Sequence, residues 1–503
     1  MAAVVPVIFS ILAALAFAAS SLADAQNRLI IGESAEAVGL DPRVQNDVPS
    51  FTRMQTIMEP LVTFSTDMEV IPRLAESWQI GEDGLSLTFA LRQGVLFHHG
   101  QELTAEDVVY TFDWVLDEAN NSVHRSLYAD ITAVEAVDDY TVRMELQAPN
   151  AFVLNNVALM PIVPRDADER DFDRQPVGTG PLVFESWTRD DRMVLRAFPD
   201  YWGGRPQIDE VEFRPIPEDT ARLLAFEAGE IDLYQGRVVP SEVESLEANP
   251  DIGVQRVPGL TYTYVGFNQE VEPLDDVRVR EAIAHLIPRE AVVERVMQGT
   301  AEVAISPFSS GSPWYYPGVP RFDYDPERAR ELLAEAGLEA GGLSLSIYTN
   351  QNPVREQVAE ILQAELSQLG IELTVTIEEW GAFLSRVQDS DDYDLFILGW
   401  SRNVDPDRAI ARQFSREGGS NFTHYQNDRV DELLERGRSL PLYDEEQMAI
   451  YHEVQEIIVG DVPYAFIMYE QEIGVYHDTI SGWQVHPYNT ATYQDIHLIG
   501  KDR

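Results

Sequence analysis

The chain has no cysteine in 503 residues. That excludes disulfides, thiolate zinc sites, iron–sulfur clusters and cysteine nucleophiles. Lysine is almost missing as well. Of 36 basic residues only Lys501 is lysine, leaving 35 arginines, and they face 85 acidic residues for a formal charge of −49. Such a surface repels a phosphate backbone, so nucleic acid is excluded as a partner. The acids are spread along the chain rather than clustered, which reads as a solvated surface suited to high salt and not as a cation-seeking site. Catalytic signatures are also lacking. There is no G-x-S-x-G elbow and no H-E-x-x-H, and His98 and His99 are adjacent rather than a helical turn apart. With so many acids some carboxylate pair is always available, so such pairs say nothing about glycoside chemistry. The sequence offers no cofactor site and no metal site.

Long apolar runs are confined to the first residues. Ala2 to Leu22 is almost wholly apolar, and Ala23-Asp24-Ala25 supplies an A-x-A exit before Gln26. No Lys or Arg precedes Arg28, but Pro6 and the A-x-A exit favour a cleaved export signal over residues 1–25. No other stretch approaches the ~18 apolar residues needed to cross a bilayer. Hydrophobic residues make up 45% of the chain, enough for large cores, and the length suggests about three compact units.

The most informative stretch is Ala75 to Trp114, AESWQIGEDGLSLTFALRQGVLFHHGQELTAEDVVYTFDW. Leu85, Leu87, Phe89 and Leu91 alternate with Ser86, Thr88, Ala90 and Arg92, the period-2 pattern of a half-buried strand. Thr104 and Asp107 form a capping-box start to a helix whose Val108, Val109, Phe112, Val115 and Leu116 share one face. Further on, Asp325 caps a helix with Pro326 at its first position and Gly337 beyond its end. Val354 to Leu369 reads as an amphipathic helix stopped by Gly370. Ile371, Leu373, Val375 and Ile377 alternate as a strand, and Tyr393 to Leu398 is an apolar run like a buried parallel strand. Strand, helix, strand at this spacing predicts a βαβ unit inside a strand-rich body.

The Ala75–Trp114 block resembles the signature of the family 5 solute-binding proteins, the peptide/nickel-type receptors of ABC importers. Four more blocks agree in order: PVGTGPLVFESW (Pro176–Trp187), FPDYWGGRPQIDEVEF with its continuation (Phe198–Leu233), YVGFNQEVEPLDDVRVREAIAHL with its continuation (Tyr264–Val296), and DYDLFILGWSRNVDPD (Asp392–Asp407). The resemblance implies an α/β, two-lobed periplasmic-binding-protein fold of the class II type, hinged by two strands. It implies lobe I from 26–74, 176–267 and 476–503, an extra subdomain from 75–175, and lobe II from 268–475. It also implies a monomeric, non-enzymatic receptor for a peptide or other small polar solute, which docks on ABC permease subunits. The absence of a cysteine for lipid attachment points to a free periplasmic protein.

Ligand contact is expected first at Trp400, Ser401, Arg402, Asn403 and Asp405, which come after a buried strand at its C-terminal end. In oligopeptide members an Asp three residues after this Trp binds the ligand's α-ammonium; Asn403 stands there, and Asp405 is the nearest substitute. Ile397 replaces an Arg that clamps short-peptide carboxylates, with Arg402 and Arg355 as the nearest replacements. On the other lobe, Glu36 and Ala37 precede the Leu40-Asp41-Pro42 landmark, where an extended ligand would lie. Tyr262, Tyr264, Trp314 and Tyr315 are further candidates to line the cleft or to pack a lobe.

Overall fold

A computed structural model describes residues 27–236, 238–338, 343–390, 392–401 and 403–502. The expected signal at 1–25 lies outside them. One large mixed sheet runs through the molecule. Its strands among the described residues are β1 (Arg28–Glu33), β2 (Leu182–Thr188), β3 (Arg192–Ala197), β4 (Glu210–Pro215), β5 (Leu233–Gly236), β6 (Ile252–Phe267), β7 (Ala301–Val303), β8 (Ser344–Asn350), β9 (Glu372–Glu378), β10 (Leu395–Trp400) and β11 (Tyr464–His477). The order across the sheet is β9-β8-β10-β6-β11-β5-β1-β4-β3-β2, with β7 beside β11.

Two long antiparallel strands, β6 and β11, join the halves. Ile252–Pro258 of β6 pairs with Gln471–His477 of β11, on the side where β11 also meets β5. After an irregularity between Pro258 and Thr261, Thr261–Gly266 pairs with Tyr464–Glu470, and Tyr262–Phe267 gains β10 on its other edge. The neighbours thus change at the irregularity. Gly259 sits at this point, where an added Cβ would lie 2.5 Å from the Glu470 carbonyl oxygen. A side chain there would push the two hinge strands apart.

The βαβ unit is present. β8 and β9 pair in parallel around the helix Pro353–Gln368, which Asn352 caps through Val354 and Arg355 N–H groups. The run Tyr393–Leu398 becomes β10, parallel to β8 but antiparallel to β6, so the parallel expectation holds on one edge only. One face of this half-sheet is aliphatic, with Ile347, Leu362, Leu395 and Ile397 in a single core. The other face is aromatic, with Tyr262, Tyr264, Trp314, Phe396 and Tyr464 all buried. The alternation of period 2 along β6 and β10 produces these two faces.

A separate antiparallel sheet of four strands, Ala75–Ile80, Ser86–Leu91, Thr141–Leu146 and Ile131–Asp138 in that order, carries the signature block. Leu87, Phe89 and Leu91 are buried and meet Val108, Phe112 and Val115 of the helix Ala105–Leu116. The capping box forms as expected: Asp107 Oδ2 accepts from Thr104 N at 2.9 Å.

Two of the other recognition blocks, Pro176–Trp187 and Phe198–Leu233, converge on one buried carboxylate. Glu59 is 1% exposed. It accepts from Arg73 Nε, Tyr201 Oη and Trp202 Nε1, each at 2.8 Å, and from Thr179 Oγ1 at 3.0 Å. Arg73 continues to Asp495 Oδ1 and the Gln494 carbonyl, both at 2.7 Å. The glycines beside Thr179 let the chain lie against a helix end: a Cβ on Gly178 would come within 2.1 Å of the Ile57 carbonyl oxygen. His98, paired with Gly180 O at 2.9 Å, is half-buried, and desolvation lowers its pKa to about 4. It is a neutral packing residue, and His99 lies 3.5 Å from Asp166. The chain's single lysine closes the sheet elsewhere, with Lys501 Nζ donating to Asp232 Oδ2 at 2.8 Å and to the Arg28 carbonyl at 2.9 Å.

Candidate functional site

A cleft of about 700 Å³ opens between two walls. One wall comes from the first 160 residues together with Tyr488, and includes Phe51 and Asn156. The other comes from residues 407–438 and carries Arg408, Arg412 and Arg438. Its size is that of a small-molecule or short-peptide site. A smaller cavity at the hinge, bounded by Leu260, Thr261, Ser401, Glu472 and Tyr488, adjoins it through the shared Tyr488.

The second wall is positioned by β10 and the segment C-terminal to it. Asp405 is fully buried, and its Oδ1 accepts from Arg408 N at 2.9 Å. This caps a π-helical turn, Asp407–Ala411, that passes into Arg412–Phe414. π-Turns recur at functional sites because the wider turn re-aims side chains. Here the capped turn carries Arg408 and Arg412, both on the cleft. Asp405 Oδ2 also accepts from Asn155 Nδ2 at 3.3 Å, across to the first wall. Burial raises its pKa.

Further ties cross between the walls. Arg438 reaches Asp130 at 3.1 Å and Asp407 at 3.0 Å, and its carbonyl accepts from Ala151 N at 2.9 Å. Asp130 is held in place by Gln147 and Asn150, both at 2.7 Å. Burial pushes the Asp407 carboxyl up to about 7, against the pull of Arg438. Phe152 makes an apolar tie, as do Leu260 and Val404 in the core of the four-stranded sheet. Phe152 is fully buried, 5.7 Å from the Trp314 ring and 5.6 Å from Tyr451, inside the aromatic core of the opposite half.

The residues expected from the sequence are placed differently from one another. Ser401 is exposed and lines the hinge cavity. Trp400 is half-buried: its Nε1 donates to Tyr264 Oη at 2.9 Å and its ring lies along Phe422, so it belongs mostly to the aromatic core. Arg402 lies outside the described residues. Asn403 is 3% exposed, and its Nδ2 donates to Leu260 O at 3.0 Å and Trp400 O at 3.1 Å. Its amide staples the loop to the hinge. Glu36 turns away to accept from Trp187 Nε1 at 2.7 Å and from Asp190 N, while Ala37 is buried and its carbonyl takes Arg189 Nη1 at 2.7 Å. Ile397 is a core residue, so an Arg there would enter an aliphatic cluster. Arg355 bonds Asn350 Oδ1 at 2.6 Å and lies over Gly399, 2.8 Å from where a Cβ would be. Tyr262, Tyr264 and Trp314 are core residues.

Asn403→Asp would set carboxylate oxygens against two carbonyl oxygens at hydrogen-bond distance, with no proton between them. The variant is expected to lose about 2 kcal/mol of stability or more, rather than to gain an ammonium site. Chemical denaturation checks it; wild-type stability with tighter binding of free-amine ligands would show the side chain turned to the cleft.

Arg408, Arg412, Asn156 and Tyr488 were not singled out by sequence. Arginine is this chain's default base, so nothing in DPDRAIAR marks two of them as cleft residues. Sequence gives no signal for Asn156 or Tyr488 at all.

Comparison with known proteins bears on what such a cleft is for. A family model described as "Bacterial extracellular solute-binding proteins, family 5 Middle" matches residues 69–422. The chain is 30% identical over 491 residues to the oligopeptide-binding protein AppA of Bacillus subtilis (strain 168), covering 91% of this chain and 89% of that one. It is 29% identical over 471 residues to the dipeptide-binding protein of Escherichia coli (strain K12), 86% of each chain. The solved structure of HbpA2 from Haemophilus parasuis superposes with a TM-score of 0.86 at 28% identity, over 95% of this chain and all (100%) of that one. The blocks read from the sequence, the two-lobed fold and these matches agree: the chain belongs to the family 5 bacterial extracellular solute-binding proteins.

Proposed function

We propose that this protein is a non-enzymatic periplasmic receptor that captures a peptide or peptide-like solute between its lobes and delivers it to the permease of an ABC importer. The carrying observation is the cleft itself, whose walls come from opposite sides of the hinge strands. A ligand held there touches both walls, so binding energy is available to favour the closed arrangement. The names of two relatives, an oligopeptide-binding and a dipeptide-binding protein, support a peptide ligand. In this reading the lobes meet at the irregularity near Pro258, and Ser401 is the member of the Trp400–Asp405 loop that reaches the ligand. Opines, oligosaccharides and metal chelates form the second class of solute for the same cleft.

Thermal melting of residues 26–503 in high salt, with pooled peptides, opines, oligosaccharides and chelates, tests the reading. A ligand at 100 times its Kd adds about 2.7 kcal/mol of stability. A shift with peptide pools is the expected result. A shift with another pool alone would keep the receptor and discard the peptide, and turnover of any pool would overturn the non-enzymatic reading.

A further inference from the structure

The chain carries more than two acids for each base, so an ordinary patch of its surface is negative and its arginines are paired. The cleft is the reverse. Its ionised lining holds three arginines, Arg408, Arg412 and Arg438, against two aspartates, Asp130 and Asp407. Both aspartates are already engaged by Arg438. Arg408 and Arg412, one turn apart on the capped segment, therefore face the cavity with no carboxylate on its lining left for them. Among the described residues neither forms an ion pair, and the one bond donated by either side chain is Arg412 Nε to Ser420 Oγ at 3.1 Å. Partial burial first, and then Arg408 beside it, lower the Arg412 pKa.

A second observation comes from the facing wall. Asn156 lines the same cavity and is 7% exposed. Its Nδ2 donates to Leu127 O at 3.2 Å, but its Oδ1 is buried with no partner. A buried acceptor left unpaired costs free energy unless something donates to it. Oδ1 has no free surface in this arrangement, so an amide N–H or hydroxyl of a bound solute would reach it only after a small turn of the amide toward the cavity that Asn156 lines. The cleft offers nothing comparable to a cation. Its aspartates are spent on Arg438, and Asn403, at the position where a carboxylate would hold an ammonium, has its amide nitrogen turned to hinge carbonyls.

We infer that the cleft selects a net-anionic solute, its carboxylate or equivalent anion held by Arg408 and Arg412 and an N–H or O–H group given to Asn156, with no ammonium recognised. This rests on the receptor reading and narrows it: N-acylated or acidic peptides and amide-bearing organic acids fit, and free zwitterionic peptides do not gain from their amino end. A guanidinium pair suits a carboxylate because each presents a planar fork of donors.

The test uses residues 26–503 at low and high salt with an N-acetylated tripeptide library, made once as free acids and once as C-terminal amides, and with inorganic phosphate as a third arm. Titration calorimetry and melting report binding. The free acids are expected to bind at least tenfold more tightly than the amides, with Kd weakening as salt rises. Arg408→Ala/Arg412→Ala is expected to erase that preference in a protein that still melts cooperatively without ligand, with any loss of stability traceable to buried Asp405 and to Ser420, and Arg408→Lys/Arg412→Lys to restore part of it. Phosphate binding lost in the alanine variant would support the same anion site, with phosphate as its source. Equal binding of acids and amides, untouched by the substitutions, would overturn the anion site and leave the receptor standing. Tighter binding of unacetylated than acetylated peptides would overturn the absence of an ammonium site. No binding of any arm by the wild type would overturn the inference, and silence in the wider solute pools as well would take the receptor reading with it.

Discussion

Replacing Phe152 by alanine is expected to lower the unfolding free energy by about 3–5 kcal/mol and to loosen one wall of the cleft from the other. The side chain comes from the segment after the four-stranded sheet, yet it is packed among Trp314 and Tyr451 of the opposite half. Removing it therefore leaves a cavity in a core that its own segment does not otherwise enter. Of the polar ties that remain, Arg438 to Asp130 is partly exposed and contributes little, while Ala151 N to the Arg438 carbonyl and the long, buried bond of Asn155 to Asp405 at 3.3 Å persist. Guanidinium denaturation should show the lost stability, and small-angle scattering should show a larger radius of gyration without ligand. Ligand affinity should fall too, because binding would then have to supply the lobe contact that Phe152 now makes in advance. Phe152→Leu should sit between wild type and alanine. An alanine variant with unchanged stability and unchanged radius would show that the ring does not join the halves.

Glu59→Ala should be as damaging, at about 3–5 kcal/mol, for an electrostatic reason. Four donors point at this buried carboxylate, one of them the buried guanidinium of Arg73. Without it Arg73 keeps Asp495, whose side chain is 49% exposed, the Gln494 carbonyl and the Tyr201 hydroxyl at 3.1 Å. Tyr201, Trp202 and Thr179 lose an acceptor together. Glu59→Gln keeps the shape and one acceptor oxygen but leaves the arginine's charge underbalanced, so its loss should be smaller though still measurable by melting. Double variants with Arg73→Met separate the pair from the network: if the charge is the cause, the second change should recover part of the loss. Additive losses would refute that cause.

The same cluster explains what was legible in the sequence. Two of the blocks that gave away the family, through Gly178 to Gly180 and Tyr201-Trp202, carry donors and close-packed glycines that meet at Glu59, where Arg73, outside the blocks, joins them. They are recognisable because a buried carboxylate with four partners tolerates little change, and that constraint concerns folding, not ligand. Helix caps at Thr104, Asp325 and Asn352 were legible for a similar local reason. The site was harder to read. Asn403 and Asp405 have the right chemistry for a ligand, but the first is turned to hinge carbonyls and the second caps the turn that presents Arg408. Pattern shows which groups a loop carries and not which of them the fold has already used. Glu36 makes the point on the other side, its carboxylate taken by Trp187 and Asp190. Aromatic candidates were ambiguous for a physical reason as well: β6 and β10 put Tyr262, Tyr264 and Phe396 on one buried face, a consequence of pairing partners far apart in the chain.

The scarcity of lysine has a practical side. Lys501 bonds Asp232 and the Arg28 carbonyl, so the chain's only ε-amine is also a clasp holding its last residues to its first strand. An acylating dye or crosslinker, which on most proteins scatters over many surface sites, has here one side chain to find. On reacting it would cancel the charge that Asp232 faces and part that seam. Apart from the α-amino group, amine chemistry thus reaches one point, the seam between the last residues and an inner strand of the sheet, with no lysine in the cleft or the hinge to react.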